Sequence, residues 1–527
     1  VAAIRNSLLR GNLPWLLAVI AAGAATRVPH LAALASPSHE LEVTYQPTLA
    51  STRFLECARE MLSGGVESDA FSFASPLYIP FLAAMLKLFS GQWAVFLVQS
   101  LAGVLTGVLV FAGGVKAGAS RPAALASALL WLLYAPAAFF EGALLPVSLL
   151  ALLITAWSIL ETGDGGVGSG FVKGLLLGVT AGMRPPFILL AAVSLLRGRR
   201  GIVPVLAGLL IPLAALSFWR LEQDGRFSPF AASTGLNLML GHADGATGYG
   251  PPIPEQGLVE SPGEDIHQAA ARVAASRGYA TPSAADGYWL KTALNWILRN
   301  PGREAELFLV KLGGALGYRP YDVYFDLRRD VESDGSLGHL PAPRALLVGF
   351  IALGAASLVF YPGRGGVFLT PVLVSLLSSL VFVHSERFWI PAIPSALAAA
   401  SAGVSCLVRG RCGRGTLPVV IGITAVLLAP GALRPVPEIP LGQYLYNRGV
   451  KAYNLGSSSH ALFLFEEAAR VSPRGTATSI QAGVMALEIS RALGLDGRAR
   501  ARALDLAREL EDAGYGTGGP PPSWNPP

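Results

Sequence analysis

Charge is scarce in this sequence. Only 14% of its 527 residues are Asp, Glu, Lys or Arg, 52% are apolar, and mean hydropathy is +0.50. A soluble chain carries roughly 25% charged residues, so an ordinary water-soluble enzyme is excluded and the bilayer is the natural solvent. Cysteine is nearly absent: Cys57, Cys406 and Cys412 are too few, and odd in number, for a disulfide framework. Cys406 and Cys412 fall at a membrane edge, which argues against a metal pair. Acids are fewer than bases, giving net charge +6 and a pI near 9.3. The excess gathers in short loops, at Lys116 and Arg121, 197–200 and 409–414. That pattern reports membrane topology and excludes nucleic acid as the partner.

What is abundant is apolar runs of about 17 to 25 residues, the length needed to cross hydrocarbon as a helix. They predict an all-α polytopic protein of about eleven crossings, near 14–34, 92–113, 120–139, 144–161, 171–183, 186–197, 202–219, 344–361, 366–383, 388–408 and 416–433. The first follows Arg5 and Arg10, and "ALA" at 33–35 resembles a cleavage site. A signal peptide is the rival reading, but the many later spans favour a retained helix with its N-terminus inside. The fifth and sixth runs meet at "GMRPPF" (182–187), where two prolines cannot continue a helix. Two half-length helices keep 197–200 inside; a single kinked span would invert everything downstream.

This topology places residues 35–91, 220–343 and everything after 434 outside. In the first piece, "PTLASTRFLECAREMLSGG" (47–65) has apolar residues at helical spacing and ends at Gly64-Gly65, predicting an amphipathic helix on the membrane surface. "SPLYIPFLAAMLKLFSG" (75–91) predicts a second. An inert interfacial pair is the plain alternative.

Two surface helices after a first span, then many spans, resemble the GT-C membrane glycosyltransferases, more closely the bacterial family 39 group related to protein mannosyltransferases and aminoarabinose transferases. The resemblance covers about residues 5–410. It rests on 51–91 with Pro-Leu-Tyr at 76–78, the span containing Gln99, "KGLLLGVTAGMRPPFILL" with Arg184-Pro185, "STGLNLMLGHADGATGYGPP" and "HSERFWIPAIPSALAAA". It implies a GT-C-like bundle over 1–433 in a bacterial cytoplasmic membrane. The implied activity is inverting transfer of a sugar from a polyprenyl-phosphate donor to a glycan, lipid or protein acceptor at the outer face. Such a reaction needs cations for the leaving phosphate and one carboxylate base.

Relatives place that acid four residues before an aromatic in the first loop. Here the aromatic is Phe54 and the position holds Ala50. Glu42, with Glu40 beside it, is the nearest upstream acid; an extended stretch would put both on one face, and two solvated carboxylates are the plain alternative. Glu141, at the end of a span, matches an acid that relatives often carry in the second outer loop. Arg184, Arg387 and Arg53 are the expected phosphate-binding cations, with Lys311 a fainter one; interfacial anchoring is the alternative for Arg387. Glu386 is adjacent to Arg387 and His384 is close by. The Gly-rich loop 233–252 offers Asn237, His242 and Asp244 to the sugar or acceptor, although relatives usually have Asn at position 242. His39 and Glu42 are two possible metal ligands without a third, so no cofactor is assigned and a divalent metal stays open.

After the membrane region, 444–473 fits a tetratricopeptide unit, with Gly449, Ala461, Phe465 and Ala468 at packing positions before Pro473. Residues 476–513 supply another helical pair with Leu504 and Leu510 as core residues. The expected domain is 434–514, outside the membrane, with 515–527 a flexible end. Such a repeat predicts a protein partner. The competing function is a non-catalytic descendant of the fold, a scaffold or lipid-phosphate binder, which Ala50 and His242 favour. A transporter would want more polar residues within its spans than Arg184.

Overall fold

A computed structural model gives the fold. Described are residues 2–47, 49–64, 75–89, 91–163, 166–197, 202–224, 227–230, 233–243, 245–249, 266–322, 325–340, 344–360, 364–409, 416–434 and 436–512. Among them every regular element is a helix. In chain order these are α1 (Ala2–Ala35), α2 (His39–Tyr45), α3 (Leu49–Ser63), α4 (Tyr78–Phe89), α5 (Trp93–Ala117), α6 (Arg121–Leu132), α7 (Ala135–Glu141), α8 (Val147–Glu161) and α9 (Val167–Met183). A 3-10 turn, Pro185–Leu189, leads into α10 (Leu190–Arg197), followed by α11 (Ile202–Asp224), α12 (Thr234–Gly241), α13 (Ile266–Ser276), α14 (Pro282–Arg299), α15 (Pro301–Leu316) and α16 (Leu327–Ser333). Then come α17 (Arg344–Phe360), α18 (Thr370–Val381), α19 (Glu386–Trp389), α20 (Ile393–Val408), α21 (Thr416–Leu433), α22 (Leu441–Asn454), α23 (Ser458–Val471), α24 (Ala477–Ala492) and α25 (Asp496–Asp512).

By length and apolarity, four helices among the described residues can cross a membrane: Gly11–Ala35, Trp93–Ala117, Ile202–Glu222 and Glu386–Val408. The pair α6 and α7 makes a fifth, bent by 54°. The bend falls where Tyr134 is extended and Pro136 occupies the first turn of α7, removing an amide that would have continued α6. The other apolar runs form helices of 17 residues or fewer. This is an α-helical membrane protein whose runs are repeatedly interrupted by Pro and Gly. At "GMRPPF" α9 ends on an extended Arg184 (φ −150°, ψ 99°) before the 3-10 turn.

The chain divides into two compact units. One holds Val1–Ser36, Ala50–Pro252 and Asp286–Val436; the other holds Pro37–Leu49, Ile253–Ala285 and Pro437–Pro527. In the first, α9 lies along α11. Glycine makes that approach possible: a Cβ at Gly174 would lie 2.0 Å from the Val205 carbonyl oxygen, and one at Gly208 2.1 Å from that of Phe171.

In the second unit α22, α23, α24 and α25 pack each on the next. Tyr446, Val450, Leu462, Phe465, Met485 and Ile489 form the core, and Gly449 abuts the Phe465 ring. Two expectations are corrected here. Leu504 is 62% exposed, because the buried face of α25 runs through Ala499, Leu506 and Glu509; the Leu510 side chain lies outside the description. Residues 39–45 are helical, with the Ser38 hydroxyl accepting from the Leu41 amide at 3.3 Å. On a helix, positions two apart point to different sides, so Glu40 and Glu42 do not share a face. Val43 of α2 belongs to this unit's core.

Candidate functional site

The break after α9 and the short α19 bring Arg184 and Arg387 to one aromatic ring. The Arg184 guanidinium carbon lies 3.6 Å from the centroid of Phe388, and that of Arg387 4.9 Å. Arg184 is half-buried, and its side chain forms no ion pair among the described residues. Arg387 lies with Nε 3.8 Å from the Asp322 carboxylate, which also accepts from the Ser385 hydroxyl at 2.6 Å. The Glu386 amide donates to the Tyr321 carbonyl at 2.6 Å, so segment 321–322 is fastened to the turn that carries Arg387. Two guanidiniums on one ring repel; the site is electropositive and suits an anion that both can contact.

Around this turn the polar groups are unevenly satisfied. Arg344 pairs with Glu386, and the Tyr134 hydroxyl donates to the same carboxylate oxygen. Arg344 also donates to the carbonyls of Gly314 (3.1 Å), Ala315 (3.3 Å) and Gly317 (3.0 Å), capping the C-terminal end of α15. Yet both ring nitrogens of the fully buried His384, the second oxygen of Glu386 and the indole nitrogen of Trp389 have no hydrogen-bond partner among the described residues. Such buried polar groups, left without water, cost about 1–3 kcal/mol each.

The two sequence-assigned acids lie elsewhere. Glu141 is fully buried and bound by Arg27 of α1, with Nη2 to Oε1 at 2.8 Å and Nε to Oε2 at 3.1 Å. Its backbone carbonyl, with that of Ala143, accepts from Gln99, whose own oxygen accepts from the Tyr78 hydroxyl at 2.9 Å. The Pro-Leu-Tyr tyrosine and Gln99 thus lock α4, α5 and α7 together. Glu42 belongs to the second unit, half-exposed, 3.6 Å from His39. Arg53 pairs with Glu56 one turn along α3, at 3.6 Å.

In the Gly-rich loop, Asn237 sits half-buried on α12, and Asp244 lies outside the described residues. His242 ends α12, its Nδ1 2.7 Å from Glu304 and its Nε2 2.7 Å from the Val381 carbonyl and 3.1 Å from Lys311 Nζ. Burial pushes Lys311 down to about 8, against the pull of Glu304. The Asp286 carboxylate caps α12, accepting from the Gly235 amide at 2.6 Å. Burial raises its pKa while those amide bonds oppose the rise.

The structure thus joins Arg184 with Arg387, and His242 with Lys311, while Glu42 and Glu141 belong to different compact units. Sequence reasoning missed Asp322 and Arg344, whose partners are remote in the chain, and no local pattern marks either one. Among the described residues no group of three or more His, Cys, Asp or Glu is arranged to hold a metal ion. Comparison with known proteins finds no matching family, no matching curated protein and no matching solved structure.

Proposed function

We propose that this protein transfers a sugar from a polyprenyl-phosphate donor to an acceptor at the outer face of a bacterial cytoplasmic membrane. The observation that carries this reading is the convergence of Arg184 and Arg387 on Phe388, with no ion-pair partner for Arg184 among the described residues. A partly buried cation is costly until an anion meets it. A lipid-linked phosphate brings that anion within the membrane boundary, where planar guanidinium groups suit its oxygens. As the acceptor oxygen attacks the anomeric carbon, the bond from that carbon to the phosphate oxygen breaks. The electron pair leaves with the phosphate, which the arginines stabilise.

Asp322, beside Arg387, is the carboxylate we assign to the acceptor proton in place of Glu42 or Glu141. It is buried, so the acceptor reaches it only when the 384–389 turn shifts. The GT-C-like architecture, the outward placement of the tetratricopeptide-like helices and a protein partner for them belong to the same reading. A second reading, a non-catalytic lipid-phosphate binder, is favoured by the commitment of Glu141 to Arg27.

The deciding experiment is turnover of a panel of polyprenyl-phosphate sugars by the purified protein in lipid, alongside polyprenyl-phosphate binding. Arg184→Ala should weaken binding about ten- to a hundredfold, the worth of a charge-assisted contact. Asp322→Asn should retain binding and lose turnover. Binding that depends on Arg184 without turnover of any donor selects the second reading, and absence of binding eliminates both.

A further inference from the structure

Within the second compact unit, a line of charged and titratable side chains joins α2 to α22 and α23. Nε2 of His39 faces Nδ1 of His460 at 2.8 Å. On the far side of each ring stands a carboxylate. Glu42 is 3.6 Å from Nδ1 of His39, and Glu40 is 3.6 Å from Nε2 of His460. Glu40 is in turn paired with Arg448 of α22. Arg448 also donates to the Thr44 hydroxyl at 3.2 Å and to the Tyr444 hydroxyl at 3.1 Å, and Lys451 donates to the Thr44 carbonyl at 3.1 Å.

Proton counting fixes the state of the histidine pair. The two outer nitrogens stand 3.6 Å from carboxylates, too far for a hydrogen bond. The two inner nitrogens face each other at 2.8 Å, and a hydrogen bond between them needs one proton, not two. A second net proton would set N–H against N–H across 2.8 Å, and two cations would have to part.

We infer that residues 37–49, the stretch of chain linking α1 to α3, are latched onto the helical second unit by a histidine pair that holds a single proton, and that acid opens the latch. Burial lowers the pKa of His460, Glu40 opposes that, and His39 and Arg448 add to it. The sign follows from linkage. With its folded-state pKa depressed, His460 binds protons more readily when the latch is open, so the latch loses stability as pH falls below the ordinary histidine value near 6.5. Val43 in the core of this unit and the Arg448 and Lys451 contacts hold the segment above that window.

The test is hydrogen exchange of the amides of 39–45 in the full-length protein reconstituted in lipid, from pH 7.5 to 5, corrected for the intrinsic pH dependence of exchange. In the wild type, exchange should rise about tenfold or more on acidification, the effect of roughly 1.4 kcal/mol at this pair. His460→Gln and, separately, His39→Gln should each keep the segment protected at pH 5, because an amide in either place cannot become a second cation. Both positions are partly exposed, so the two variants check one another. Protection independent of pH in the wild type, or the same acid release in both variants, would overturn the inference.

Discussion

Glu141 and Arg27 form a buried pair whose members are useful only together. Replacing Glu141 with Gln leaves Arg27 buried and uncompensated, and this should cost about 3–5 kcal/mol, read as a fall in thermal unfolding temperature in detergent. Arg27→Met combined with Glu141→Leu should recover most of the loss, because the desolvation of both charges disappears with the attraction. Lys311 makes a different prediction. Its folded-state pKa of about 8 lies below the ordinary lysine value near 10.4. Between the two, the unfolded chain binds more protons, so stability should rise with pH from about 8 to 10, by up to about 3 kcal/mol. Lys311→Met should flatten that rise; an unchanged slope would place the titration elsewhere. The pairing partners of these residues were illegible in the sequence. Arg27 and Glu141 are separated by 114 positions, and no local period connects them.

At the scale of helices, local chemistry was readable. The spacing in 47–65 forms α3 and stops before Gly64, whose φ of +92° favours a residue without a Cβ. Arg184-Pro185 ends α9 as two adjacent prolines require. The phase of α25 and the helical state of 39–45 were misread, since short amphipathic stretches satisfy more than one pattern until a partner selects the buried face. The seam between α9 and α11 supplies the element-scale prediction. Gly174→Ala would push a methyl into the Val205 carbonyl, forcing the two backbones apart. A loss of about 1–3 kcal/mol follows, seen as reduced monodisperse yield and a lower unfolding temperature. Gly422→Ala on α21, where nothing lies within 4 Å, should be neutral or stabilise by about 0.5–1 kcal/mol.

For the whole molecule, composition sufficed to mark the chain as an α-helical membrane protein. The division into units followed contacts that composition does not record: Pro37–Leu49 belongs with Pro437–Pro527, joined by pairs such as Glu40 with Arg448, 408 positions apart. The cationic half of the candidate site was legible, as Arg184 and Arg387. Its acidic half was not, because Asp322 meets Ser385 and Arg387 across more than 60 positions of chain.

The Arg27–Glu141 pair also sets an order of events during synthesis. When α1 first reaches the membrane, its counter-charge has not been made. An arginine within a lone apolar helix costs roughly 2.5–3.5 kcal/mol on insertion scales. At about 5–20 residues per second, the 114 positions to Glu141 amount to an interval on the order of ten seconds. During it, the nascent first helix must stay within the insertion machinery, shift Arg27 toward water, or borrow another anion. The pair itself closes only once α7 has followed α1 into the membrane.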